Sequence, residues 1–219
     1  MVAGKLLSND IVPLRTSDTG EEALGIMNDF LVKHLPIVNN EQLLGLLSED
    51  DILENDVEEA VGSYRLSIHQ PQVRHYDHIY ELMRQMAQHQ LTVIPVVDAD
   101  NIYVGMVTQE DVLNYFARTA SFTEPGTILV LEIPSRDYSL AEVSRLVESE
   151  GVRILSSFVT SNADGTRIDL TLKLNQSYIQ RVISVLERFQ YEVKASFNEQ
   201  EYLESMKDNF NALMFYLDV

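Results

Sequence analysis

Residues 45–53 read GLLSEDDIL, and residues 105–113 read GMVTQEDVL. Glycine meets glycine, Ser48 meets Thr108, Asp51 meets Asp111, and apolar pairs fill the same places. Such a repeat constrains a fold more than any single motif, because each copy has to form the same supersecondary unit and bury the same face. The match extends upstream, where Pro36 and Pro95 hold equivalent places. A turn one residue longer in the second copy sets the later offset at sixty.

The copies run from about Ile11 to Leu53 and from about Ile68 to Phe116. Each starts with a short extended piece and then an amphipathic helix. Leu24, Met27 and Leu31 share one face of a helix predicted over about 21–31. Ile79, Leu82, Met83 and Met86 do so in a helix over about 78–88. Thr19 and Glu22 fit a capping box at the first helix start. HLPIVNNEQLLGLLS and LTVIPVVDADNIYVGMVT then read as strand, tight polar turn, strand. Short helices over 49–54 and 109–117 close the two copies.

The stretch ARTASFTEPG, 117–126, reads as a linker. After it come an apolar strand (TILVLEIP), an amphipathic helix ended by Gly151, two strands around Asn162–Gly165, a second helix and a last strand. That order is βαββαβ, a ferredoxin-like unit. Residues 199–217 read as a C-terminal helix whose Leu203, Met206, Phe210, Leu213 and Leu217 follow heptad spacing. So short a seam has to pack on its own domain or on a partner chain.

Composition narrows the function. The 219 residues suffice for two domains, and none is cysteine, which removes disulfides, zinc thiolates and thiol nucleophiles. The formal charge is −18, from 34 acids against 16 bases. No basic cluster offers a nucleic-acid surface, and so acidic a chain repels anionic membranes. No apolar run approaches the roughly 18 residues of a membrane span, and MVAGKLLSND lacks a signal-peptide core. A cytoplasmic location is therefore expected. No Gly-x-Ser-x-Gly elbow, P-loop or Gly-x-Gly-x-x-Gly occurs, so a non-catalytic protein is expected. The HYDH stretch at 75–78 offers two imidazoles and one carboxylate across a helix start. That is too few ligands for a closed metal site, so surface and capping roles are expected and no metal is assigned.

A β-α-β-β-α unit ending in Gly-apolar-apolar-[Ser/Thr]-x-x-Asp, present twice, resembles a tandem pair of CBS domains. The stretch SLAEVSRLVESEGVRILS and the topology around it resemble an ACT domain. The two in this order are similar to the acetoin-utilisation type of CBS–ACT regulatory protein. The fold class expected is therefore α+β: a CBS pair over 1–118, a linker over 119–126, an ACT-like domain over 127–197 and a C-terminal helix over 198–219.

The resemblance implies an adenosine-containing ligand in the cleft between the repeats, and a homodimer that passes its signal to a regulated protein. By resemblance, Asp51 and Asp111 hold ribose hydroxyls, assisted by Ser48 and Thr108, and Leu35 and Ile94 lie beside the base. Each charge-assisted bond to a ribose hydroxyl is worth about 1.5–3 kcal/mol. Bases available to a phosphate are few: Arg15, Lys33, His34, Arg74 and His75. Ile52 and Val112 follow the aspartates, where many family members place a basic or polar residue, and Asp50 and Glu110 precede them. AMP, adenosine or S-adenosylmethionine is thus expected over ATP, with no cofactor certain. Ser/Thr-x-x-Asp is also a helix-cap pattern. A ligand-free dimerisation or docking scaffold is the alternative. The loop 134–139 has no glycine, which in effector-binding ACT domains lets the backbone approach an amino acid.

Overall fold

The computed structural model describes residues 1–8, 10–67 and 71–198. The predicted C-terminal helix, with its heptad residues, lies outside them. The chain divides into two units, Met1–Phe116 and Ala117–Val219.

In the first unit each repeat is an αββα unit preceded by an extended segment. The first holds α1 (Gly20–Asp29), β1 (His34–Asn39), β2 (Gln42–Ser48) and α2 (Glu49–Leu53). The second holds β3 (Val73–Arg74), α3 (Ile79–His89), β4 (Val93–Val97), β5 (Tyr103–Thr108) and α4 (Gln109–Thr119). β3 pairs in parallel with β4, and the lone bridge Leu14↔Ile37 is its counterpart in the first copy. The reciprocal Thr19–Glu22 capping box forms at the start of α1. The hairpin β1–β2 turns through Asn40 and Glu41, both at positive φ, the backbone that a two-residue primed turn requires. The β4–β5 turn is tied instead by Asp98, whose Oδ1 accepts from the amides of Asp100 (2.9 Å) and Ile102 (2.8 Å).

The repeats share their interiors. Val93 and Met106 of the second copy join the core built on Leu14, Leu35 and Leu47, while Leu46 of the first joins the core of Ile79, Leu82 and Ile94. Each such side chain, fully buried, is worth about 1.5–3 kcal/mol, so neither copy completes its core alone.

The segments ahead of each copy also cross over. Leu66 lies against Gly45, and Leu7 lies against Gly105. Thus Leu7–Ser8, ahead of the first copy, pack on the second, and Leu66–Ser67 pack on the first.

The second unit holds β6 (Thr127–Pro134), α5 (Leu140–Ser149), β7 (Ile154–Ser161), β8 (Arg167–Leu174), α6 (Gln180–Arg188) and β9 (Glu192–Asn198). The sheet order is β7-β8-β6-β9 with every pair antiparallel, the ferredoxin-like arrangement expected from the order of elements. Leu129, Leu131, Ile168, Leu170 and Leu172 alternate toward α5 and α6 and are buried with Val143, Leu146, Val182 and Leu186. Gly151, at φ +74°, follows α5 as expected of a C-terminal glycine. One difference from the sequence reading concerns 117–126. α4 runs on to Thr119, and the residues after it pack on the second unit. The Ser156 hydroxyl donates to Ala120 O at 2.8 Å, and Phe122 meets Phe158 with ring centroids 6.2 Å apart.

Candidate functional site

The site residues follow from how each copy ends. β2 and β5 run extended into Ser48 and Thr108, the next residue opens a helix, and the hydroxyl caps it. Ser48 Oγ accepts from Asp51 N (3.1 Å), while Asp51 Oδ2 accepts from Ser48 N (3.0 Å) and Ser48 Oγ (2.6 Å). In the second copy Thr108 Oγ1 accepts from Asp111 N (3.0 Å), and Asp111 Oδ2 accepts from Thr108 N (2.9 Å) and Thr108 Oγ1 (2.7 Å). The two boxes match bond for bond, so the repeated motif is a helix cap in both copies.

The copies differ at the other carboxylate oxygen. Asp51 Oδ1 accepts from Ser67 N at 2.9 Å, and the residue is 2% exposed. Burial alone would raise its pKa, but the bonds from Ser48 and Ser67 outweigh that and hold it below the ordinary carboxylate range. At the equivalent place in the second copy, Ser8 N bonds to Met106 O at 2.8 Å and passes the carboxylate by. Among the described residues nothing donates to Asp111 Oδ1.

Asp111 is half-buried and lines an open-sided cavity of about 180 Å³ with Ser8, Asp10, Thr92, Thr108 and Glu110. Ile11 and Val32 supply apolar wall. Among the described residues, three of the lining side chains are carboxylates and none is a Lys or Arg. Such a volume is below the roughly 300–1,000 Å³ that encloses a whole ligand, so a bound molecule would project into solvent.

Other predicted residues stand elsewhere. Leu35 and Ile94 are fully buried in the two cores and do not line this cavity. Their register explains it: Val93 is opposite Thr108 and His34 opposite Ser48, which puts Thr92 and Lys33 at the strand entrances. Arg15 and His75 are exposed and also outside the cavity.

His34 is buried where the two copies meet. Its Nδ1 accepts from Thr92 N at 3.2 Å and lies 3.0 Å from Thr92 Oγ1, which itself accepts from Lys33 N at 2.8 Å. The Thr92 hydroxyl therefore donates to Nδ1, and the ring proton sits on Nε2. Burial pushes this imidazole below its ordinary pKa against the pull of Asp51 and Asp50, so it is neutral at pH 7. His78 caps α3 by accepting from Tyr80 N at 3.3 Å. Among the described residues no group of three or more His, Asp or Glu is placed to hold a metal ion.

Ser8, Asp10 and Thr92 were not singled out from the sequence. A signal was present: Leu-Ser stands ahead of both copies, at 7–8 and 66–67, and each pair packs beside the motif of the other copy.

Comparison with known proteins agrees with this architecture. The CBS domain family matches at residues 3–58 and 66–118. A homoserine O-acetyltransferase of Methanococcus vannielii is 22% identical over 120 residues, 52% of this chain and 24% of that protein. An inosine-5′-monophosphate dehydrogenase of Methanocaldococcus jannaschii is 24% identical over 114 residues, 51% of this chain and 23% of that protein. The chain thus spans about a quarter of the length of these relatives. A CBS domain pair/ACT domain protein from Thermotoga maritima has a similar structure (TM-score 0.48, 23% identity, 54% of this chain and 98% of that one). Two motifs in register, two matched domains and one shared interior lead to one conclusion: residues 3–118 are a tandem pair of CBS domains.

Proposed function

We propose that this protein is a non-catalytic sensor that binds an adenosine-containing ligand at the second CBS motif, with Asp111 taking the ribose hydroxyls. One observation carries the reading: among the described residues no group donates to the outer oxygen of Asp111, and Asp111 lines a cavity, whereas the outer oxygen of Asp51 is taken by Ser67. A carboxylate with a free oxygen beside an apolar wall suits a cis-diol next to a base. Thr108 holds the carboxylate in place, and Ile11 and Val32 offer the base a surface.

The acidic rim bears on the ligand. Two like charges 4 Å apart repel by about 4 kcal/mol at an effective dielectric near 20, and Asp10 and Glu110 line the cavity as exposed side chains. This favours adenosine, AMP or the cationic S-adenosylmethionine over ATP. Support for a regulatory role comes from the relatives: the shared segment is about a quarter of a transferase and of a dehydrogenase, two unlike reactions.

The second unit we read as ACT-like and dimerising, in a protein of the acetoin-utilisation type that acts in the cytoplasm on a protein target. No described helix is long and apolar enough to cross a membrane. At the first motif the scaffold reading is favoured, because both oxygens of Asp51 already accept hydrogen bonds within the fold.

A thermal-shift panel of AMP, ADP, ATP, adenosine and S-adenosylmethionine, with and without Mg²⁺, tests the reading. Ligand at 100 times its Kd adds about 2.7 kcal/mol, which moves the midpoint by several degrees. Adenosine and S-adenosylmethionine are expected to shift it more than ATP; no shift with any of the five defeats the sensor reading.

A further inference from the structure

Both repeats turn from their first helix into the next strand in the same way. In the first, Val32 N bonds to Met27 O at 2.9 Å and Leu31 N to Asn28 O at 3.4 Å, which closes α1 with Leu31 in the left-handed region at φ +53°. In the second, Leu91 N bonds to Met86 O at 2.9 Å and Gln90 takes φ +53°. A helix that ends so generally has glycine or asparagine at this place, because a Cβ is strained there. Gln90 and Leu31 both depart from that rule, and Leu31 is apolar as well. It is 88% exposed, so burial does not account for it. A bulky side chain held in a sparsely populated conformation and left in solvent points to function when it stands at a site.

Leu31 stands at one. It lines the Asp111 cavity together with Phe30, which is 41% exposed. Val32, the next residue, is 7% exposed and joins the core with Met27. The turn therefore sends 32 inward and leaves 30 and 31 at the cavity. The rest of the wall is mostly polar. Because the cavity does not enclose a ligand whole, part of the ligand rests on its margin. A polar group there would gain nothing from a leucine and a phenyl ring, whereas both would take the flat face of a base out of water. We propose that Phe30 and Leu31 are specificity-determining residues of this site, an apolar lip that receives the face of a purine base. The proposal rests on the reading of Asp111 as the ribose ligand. It divides one nucleoside between the repeats, the base on the first copy and the ribose on the second.

The test reads affinity and stability together in the full chain, by calorimetric titration with adenosine and uridine and by thermal unfolding. Leu31→Gly relieves the backbone and removes half of the lip. Its unfolding midpoint is expected to hold or rise while adenosine binding weakens about fivefold. Phe30→Ala is expected to weaken adenosine binding about tenfold, within the range for a base stacked on an aromatic ring. Gln90→Gly makes the same backbone change in the other copy and is expected to leave adenosine affinity unchanged. The double variant at 30 and 31 should also lose the preference of the full chain for adenosine over uridine, since the larger base covers more of the lip. Unchanged adenosine affinity in Leu31→Gly and Phe30→Ala, with binding still lost in Asp111→Ala, would overturn the lip and leave the ribose assignment standing. A full chain that does not bind adenosine, or binds it regardless of Asp111, would overturn both. Weaker binding together with a lowered midpoint in Leu31→Gly, or an equal loss of affinity in Gln90→Gly, would make the residue structural and overturn the proposal.

Discussion

Ser67 N donates to Asp51 Oδ1 at 2.9 Å, and among the described residues no group makes the matching bond to Asp111. The three bonds of the cap itself are the same in both copies. In the first copy the carboxylate fastens the connection between the repeats; in the second it lines a cavity.

Asp51→Ala is therefore expected to cost stability rather than binding. It removes acceptors from three buried or half-buried donors, worth about 1–3 kcal/mol where they are left unsatisfied. Denaturant unfolding checks the size of the loss, and ligand titration of the folded variant checks that affinity holds. A stable Asp51→Ala that no longer binds would reverse the assignment.

Asp51 also sets an acid limit. Its folded-state pKa lies below the ordinary 3.8, so its contribution is present above that value and is lost as pH falls through the depressed folded value. Asp51→Asn should flatten the stability profile below about pH 4. A profile unchanged there would mean that other carboxylates set the acid limit.

His34 acts in the same direction at higher pH. The fold lowers its pKa below 6.5, so the unfolded chain takes up the proton first, and stability falls as pH drops from about 6.5 toward the folded value. Asp50, Asp51 and Lys33 are the charged groups acting on it. His34→Asn, whose carbonyl can accept from Thr92 as Nδ1 does, should keep stability at pH 8 and lose the slope that sets in below about pH 6.5. Midpoints of urea unfolding across that range check it.

Gly126 is expected to tolerate no side chain. Its φ is +154°, and a Cβ there would stand 1.9 Å from Leu174 O, a backbone atom. Gly126→Ala should cost about 3 kcal/mol or more. Gly165, at φ +68° with open space around it, should cost only about 1–2 kcal/mol on the same change. Thermal unfolding of the pair separates a clash from a backbone preference.

Much of this was legible in the sequence, for physical reasons. The repeat, the hairpins and the βαββαβ order rest on local periodicity and turn chemistry, and each element forms within a few residues of its expected place. The Ser48–Asp51 and Thr108–Asp111 boxes were legible because a cap spans three residues. What escaped was non-local. Nothing near Asp51 says that Ser67, sixteen residues on, will take its free oxygen. Leu35 and Ile94 have the apolarity of a base-binding wall, but the strand register turns them into the cores and leaves Thr92 at the cavity. The packing of 120–122 on β7 likewise depends on a sheet that local composition does not reveal.

The most direct test of the account is calorimetric titration of the full chain, Asp51→Ala and Asp111→Ala with adenosine, S-adenosylmethionine and ATP. The account predicts one site per chain, retained in Asp51→Ala and weakened tenfold or more in Asp111→Ala, with ATP the poorest ligand. Two equivalent sites per chain, or binding lost with Asp51 and kept without Asp111, would contradict it.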